Sequence, residues 1–276
     1  MKTRFIAQSV EPDGRKKRAP NVRPVFSNQG IRAKYHAVLV HHIARMRQDV
    51  LKRALAAYEQ FDAQQAQDET PLERLKRTFS NILEQWQGHF DRHAEDLASQ
   101  FVQQASGHAT RSVRNSLRDL GFTVQFQATP AVKEAVSRAL TENIGLIKSI
   151  PTECLGEVQG LVEKSALAGR DLGTLTDEIK RRFDVADSRA ALIARDQNNK
   201  VSASITRRRQ QDLGISEGIW LHSGASRHPR PEHMAANGKR FNLEQGLYLE
   251  GHWTMPGEDI NCGCAWRPIL PGFNDG

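Results

Sequence analysis

Three cysteines in 276 residues are too few for a disulfide framework. In a reducing compartment such thiols stay free, which leaves burial or metal binding as their use. No apolar run approaches the roughly 20 residues needed to cross a bilayer. The opening stretch MKTRFIAQSVEPDGRKKR has no apolar core long enough for a signal peptide. The expectation is a chain made in a cytoplasm, with no membrane involved. Aromatic residues reach only 7%, and few accompany the basic ones, so base stacking along a nucleic-acid strand has little support. No segment repeats at a fixed period, and no low-complexity tract extends beyond a short Gln/Ala/Asp loop.

The chain does hold charge and helical periodicity. A hydrophobic fraction of 38% beside a charged fraction of 26%, with mean hydropathy −0.58, suits long solvated helices better than a thick α/β core. The length allows two modest units. The net charge of +7 is unevenly placed: residues 1–34 carry nine Lys and Arg against Glu11 and Asp13, which accounts for the whole excess. This Pro-punctuated arm, with Arg15, Lys16, Lys17 and Arg18 at its centre, fits an acidic partner such as a DNA backbone or an acidic protein face. A solvated tail is its plainer reading.

Beyond the arm, residues 31–61 read as one helix. A second starts at Thr70 as N-cap, with Pro71 at the first helical position and Glu73 completing a capping box. Its apolar stripe runs Leu72, Leu75, Phe79, Leu83, Trp86, Phe90, Ala94, Leu97 and Phe101, spacing that lets it pair antiparallel with the first. His41, His42, His89 and His93 in these helices are read as solvated. RDLGF at 118–122 and QDLGI at 211–215 are Leu-Gly-apolar helix stops. Between them a helix opens at Pro130, another at Pro151, a short one carries Leu175, Ile179 and Phe183, and a last one is capped by Asp187 or Ser188. Arg207, Arg208 and Arg209 complement the end of that helix, with contact to DNA as the sharper alternative.

After Gly214 the pattern changes to short alternating segments split by Gly and Pro. ISEGIWLHS and CGCAWR read as strands, the second placing Cys262, Cys264 and Trp266 on one face. A short helix begins at Pro231. The fold class is therefore mainly α, with an elongated helical N-terminal half and a small C-terminal α+β domain. The expected divisions are an arm at 1–34, a helical hairpin or bundle at 35–128, and a domain at 129–276 whose small sheet spans 215–270.

Four histidines and two cysteines fall between His222 and Cys264. Two thiols at i and i+2 can reach one zinc, with His233 as third ligand and His222, His228 or His252 as fourth. The C-x-C spacing departs from the usual C-x₂-C, so a buried structural cluster without metal is the preferred reading, with a structural zinc as the alternative.

RAALIARDQNNKVSASITRRRQQDLGISEGIWLHSGASRHPRPEHMAANGKRF, followed by MPGEDINCGCAWRPIL, resembles the phage Mu F-like minor head proteins, the phage head morphogenesis family, over roughly residues 140–270. The resemblance rests on Ala194, Arg195, Asp196 and Gln197, on Trp220, on Arg230 and His233, on Gly238 and Lys239, and on Pro256, Gly257, Asn261, Cys262 and Cys264. It implies a non-enzymatic minor component of a tailed-phage head, near the portal in the capsid interior, acting in head assembly, DNA packaging or delivery. The implied partners are portal and head proteins, with phage DNA reached through the basic arm. Two departures stand out. Gly263 lies where relatives often carry a polar or basic side chain, and Ala225 and Ser226 lie where an acid is frequent.

The competing reading is a metal-dependent or His-based nuclease or toxin-like domain, with His228, Arg230, His233 and Lys239 as acid, base and phosphate binders. It lacks an adjacent acidic cluster for magnesium and any complete nuclease motif. Arg195 and Asp196, adjacent on a helix, cannot face each other and are expected to pair elsewhere, stapling the helix to the C-terminal sheet.

Overall fold

The computed structural model describes residues 22–63, 71–168, 172–224 and 228–271. Among these residues the chain is mainly helical, with four long helices and a small C-terminal part of short antiparallel strands. The helices are α1 (Gln29–Ala63), α2 (Pro71–Arg118), α3 (Pro130–Ala168) and α4 (Leu172–Gln211). No described helix is long and apolar enough to cross a membrane. Residues 1–21, with Arg15, Lys16, Lys17 and Arg18, lie outside the described residues, as do Thr70, Ala225 and Ser226. Of the basic arm, the described part has no regular secondary structure to residue 28 and then enters α1, and Val22 and Val25 are buried.

Two compact units divide the chain. One comprises residues 33–100 and 140–194; the other comprises 1–32, 101–139 and 195–276. The first is a helical bundle. Its core takes Leu39, Ile43, Met46 and Val50 from α1, Phe79, Ile82, Trp86 and Phe90 from α2, Ile147, Ile150, Val158 and Val162 from α3, and Leu175, Ile179 and Phe183 from α4. Side-chain ties close a ring around it. Trp86 Nε1 donates to Asp49 at 2.8 Å, Lys148 meets Asp91 at 3.3 Å, Arg189 meets Glu153 at 2.6 Å, and Arg47 meets Asp184 at 3.2 Å. Asp49 pairs with Trp86 and the earlier His42 with the later His89, so α1 and α2 run antiparallel.

Three expectations are corrected in this unit. Pro151 does not open a helix; it lies inside α3. A proline there removes one backbone hydrogen bond and crowds the preceding turn, yet Ile147, Ile150, Leu155, Val158 and Val162 bury one continuous face across it. Gln87 of α2 supports the site, donating to the Lys148 carbonyl at 3.3 Å and accepting from Thr152 Oγ1. Nor do Asp187 and Ser188 start a helix: α4 is continuous, and Ser188 Oγ bonds back to the Asp184 carbonyl at 3.0 Å.

The third correction concerns His42 and His89, since His41 and His93 are exposed as read. His42 is half-buried with Nδ1 2.9 Å from His89 Nε2, and the His89 and His93 ring centroids are 4.6 Å apart. Burial, then the charges of His89, His93, His41 and Arg45, pull the His42 pKa down to about 4. Burial, with His93, Arg45 and Arg92, lowers His89 as well. Both folded values lie below the unfolded value of about 6.5, so between them the unfolded chain binds more protons. Stability is then lost as pH falls from about 6.5 towards 4. Thermal unfolding of the chain between pH 7 and pH 5 is expected to show a fall in midpoint that is smaller in His42→Gln. Equal falls in both proteins would contradict this.

In the second unit, β1 (Glu217–Leu221) is the centre of a three-stranded antiparallel sheet, flanked by β2 (Arg240–Asn242) and β5 (Ala265–Ile269). A hairpin of β3 (Leu247–Leu249) and β4 (His252–Thr254) stands apart from that sheet. Trp220 of β1 pairs with Trp266 of β5, and Gly218 with Phe241. The sheet shares a core with Val113 and Leu117 of α2 and with Leu213 and Ile215. Both Leu-Gly stops form as read. Gly121 and Gly214 take φ of 87° and 78°, and the next residue's N–H returns to the last turn, Phe122 to Leu117 at 3.1 Å and Ile215 to Gln210 at 3.0 Å.

The triple arginine serves this unit internally. Arg207 meets Glu258 at 3.4 Å, and Arg208 donates to Gln211 at 3.1 Å. Arg209 is buried, bonded to the Gln127 carbonyl and to Thr110, with its guanidinium 5.0 Å from the Phe126 ring centroid.

Candidate functional site

The site is built from the end of α4, the five-residue helix α5 (Pro231–Ala235), and the turn between β4 and β5. Pro231 presets the first helical φ of α5. That short helix presents His233, only 3% exposed, to the core. The turn is shaped by two left-handed residues, Gly257 at φ 84° and Asn261 at φ 62°. A side chain at Gly257 would also crowd Ala203 of α4 and the Cys264 carbonyl, both 3.3 Å from a built Cβ. Asn is among the few other residues that adopt such a φ readily.

Asn261 is where helix and sheet are joined. Its backbone N–H donates to Asp196 Oδ1 at 3.1 Å, and its side-chain carbonyl accepts from Arg195. One turn along α4, Asn199 Nδ2 donates to the Cys262 carbonyl at 3.0 Å, and Lys200 meets Asp196 at 3.2 Å. Arg195 and Asp196 thus pair away from each other and onto the segment leading into β5. Ser27 Oγ also donates to Asn199, and Asn198 Nδ2 to the Asn28 carbonyl. Gln197 is buried, and Gly238, at φ 82°, donates to the Trp220 carbonyl at 2.8 Å.

Cys262 and Cys264 do meet His233. Cys262 Sγ lies 3.5 Å and Cys264 Sγ 3.9 Å from His233 Nδ1, with all three side chains buried. They reach it from an irregular segment, since β5 begins only at Ala265. The expected strand therefore starts three residues late. Trp220 packs edge-on against the His233 ring, centroids 5.5 Å apart, as part of the surrounding core. The closeness of the two thiols raises the Cys262 pKa and lowers that of Cys264 to about 7. Cys154 is buried elsewhere, in the helical unit, and burial raises its thiol pKa to about 12.

Behind His233 stands Asp259, which the sequence reading did not single out. His233 Nε2 approaches Asp259 Oδ2 at 3.2 Å, although neither atom has a well-aligned hydrogen bond. Arg230 shares this carboxylate with His233: its Nη1 lies 3.7 Å from Asp259 Oδ2, its Nε 3.3 Å from Glu250, and its Nη2 donates to the Ile260 carbonyl. Burial raises the Asp259 pKa, but hydrogen bonds from His252 and Thr254 outweigh it and leave the carboxyl below its usual range. His252, considered as a fourth ligand, instead bonds the far oxygen of Asp259 at 3.0 Å. His222 and His228 line a cleft of about 960 Å³ beside the cluster, together with Arg195, Arg230 and Asn261. Gly263 faces Ser223, whose Oγ is 3.1 Å from a built Cβ, leaving little room for a larger residue.

Asp259 was legible only as part of PGEDINC. The useful signal was an acid three residues before a cysteine already under suspicion, in a turn made tight by Gly257.

Residues 156–267 match the family described as "Phage Mu protein F like protein", so the resemblance read from the sequence holds over that segment. An uncharacterized protein of Haemophilus influenzae is 28% identical over 267 residues, a span covering 92% of this chain and 57% of the relative. The chain therefore spans little more than half the length of that curated relative. No solved structure matches it.

Proposed function

We propose, on the premise that residues 156–267 form a Mu F-like segment, that this protein is a non-enzymatic minor component of a tailed-phage head and acts in head morphogenesis. In this reading the chain is made in the host cytoplasm and taken into the capsid interior near the portal. Portal and head proteins are its partners there. Phage DNA is a further partner through Arg15, Lys16, Lys17 and Arg18.

The observation that carries the reading is the use made of the family's marker residues. Arg195, Asp196 and Asn261 join α4 to the turn before β5, and Arg230 and His233 converge on Asp259 beneath it. These groups are spent on one another. Arg230, which the nuclease reading needs as a phosphate binder, is held by Glu250, Asp259 and the Ile260 carbonyl. A preformed, internally satisfied module suits docking into an assembly, where rigid surfaces lower the ordering cost of association.

The test is genetic. A phage carrying a deletion of this chain is induced, and its lysate is compared with one complemented in trans. The expected result is a loss of DNA-filled infectious heads that complementation restores. Normal yields of filled, infectious particles without the chain would overturn the reading.

A further inference from the structure

We propose that His233 Nδ1, Cys262 Sγ and Cys264 Sγ are the three protein ligands of a zinc ion that ties α5 to the segment entering β5. Three features of the geometry favour a metal over simple packing. First, a single imidazole lone pair faces two sulfurs, at 3.5 and 3.9 Å. A thiol hydrogen bond uses that lone pair once. Zinc–sulfur bonds of about 2.3 Å and zinc–nitrogen bonds of about 2.0–2.1 Å place the N–S edges of a tetrahedron at about 3.5 Å, so small shifts complete the site.

Second, the back of the histidine is arranged as a metal-ligating histidine usually is. Its Nε2 is turned to Asp259, a carboxylate that selects the tautomer leaving Nδ1 free to ligate. His252 and Arg230 hold that carboxylate in turn.

Third, a buried backbone N–H donates to one of the sulfurs, and a buried indole N–H nearby is left without a partner. The Gly257 N–H donates to Cys262 Sγ at 3.4 Å. The indole N–H of Trp220, on a residue with 0% exposure, has no aligned partner, and its ring packs against that of His233 with centroids 5.5 Å apart. Donors of this kind support thiolates, the form in which cysteine binds metal.

Among the described residues no other His, Cys or carboxylate atom joins these three within the same reach. The cluster lies on the wall of the cleft, so the fourth position opens to it and is taken by solvent. Binding displaces the thiol protons to solvent, and because the unfolded chain has no preformed site, binding energy becomes folding energy. The closure joins residues 29 and 31 positions apart in sequence.

The test uses the full-length chain, purified without chelator from zinc-supplemented medium. Elemental analysis is expected to give about one zinc per chain. The Cys262→Ser/Cys264→Ser protein should lose it, and Cys154→Ser should keep it. Chelation should lower the unfolding midpoint of the parent and leave that of the double variant unchanged. Two measurements stand apart from the double variant and separate loss of metal from loss of the fold. Cobalt added to the chelated parent should produce the near-ultraviolet absorption of a thiolate–cobalt bond, and Asp259→Asn should keep that absorption with affinity weaker by about 10–100-fold. Absence of zinc together with absence of the cobalt–thiolate band would overturn the proposal, as would full zinc retention in the double variant.

Discussion

Trp220→Ala is expected to lower the stability of the sheet-bearing unit by about 3–5 kcal/mol, the usual range for emptying a fully buried aromatic site. Trp220 has 0% exposure and sits on the central strand, opposite Trp266 of β5. Its ring meets His233 edge-on and lies 5.8 Å from that of Phe241. Truncation therefore leaves a cavity among the sheet, α5 and the cysteine segment. Trp220→Phe should recover most of the loss, because it restores apolar volume without the N–H. Hydrogen exchange at the β1 and β5 amides is the suitable probe, since a chain of two units need not unfold in one step. A loss below about 1 kcal/mol at those amides would mean that the core lies elsewhere.

Asp196→Ala is expected to cost about 1.5–3 kcal/mol, the usual worth of a hydrogen bond to a charged group. The residue is only 7% exposed and its side chain accepts from the Asn261 N–H, with Lys200 on its other oxygen. Asn261→Ala acts on the same joint differently. It removes the Arg195 contact and leaves a β-carbon at φ 62°, a backbone region that alanine tolerates poorly. The two changes share one joint, so their effects should not add. A double-mutant cycle between them is expected to show coupling of at least about 0.5 kcal/mol. Strict additivity would mean that the two residues do not act as one staple.

The long-range character of that staple explains which parts of the architecture could be read in advance. Helices were legible where a local signal was unambiguous: Pro71 and Glu73 opened α2, and Gly121 and Gly214 closed α2 and α4 as left-handed stops. Apolar spacing located the stripe of α2 but not each position in it. Ile82 and Ala98 are buried, whereas Leu83 and Leu97 are only partly so. Pro151 and Ser188 misled because each carries a strong local preference that burial of a continuous face overrides.

At the candidate site, the meeting of His233 with Cys262 and Cys264 followed from residue type and proximity in sequence, even though the thiols precede β5. Asp259 and Asn199 escaped notice because their roles depend on partners that only the folded turn brings near, namely His233 and Arg230 for the first and the Cys262 carbonyl for the second. The same holds for His42 and His89. Each looked like an ordinary exposed helix histidine until the antiparallel pairing of α1 and α2 brought their rings together.

Whether this is a head protein is tested most directly by the composition of the particle. Heads purified from an induced lysate, free of soluble host protein, can be analysed by quantitative mass spectrometry against the major capsid protein. The account predicts that this chain is present in every head preparation at a small fraction of the major capsid protein's copy number, and that it stays with the portal-bearing fraction after gentle disruption. Heads that are complete, filled and infectious yet contain none of the chain would contradict it.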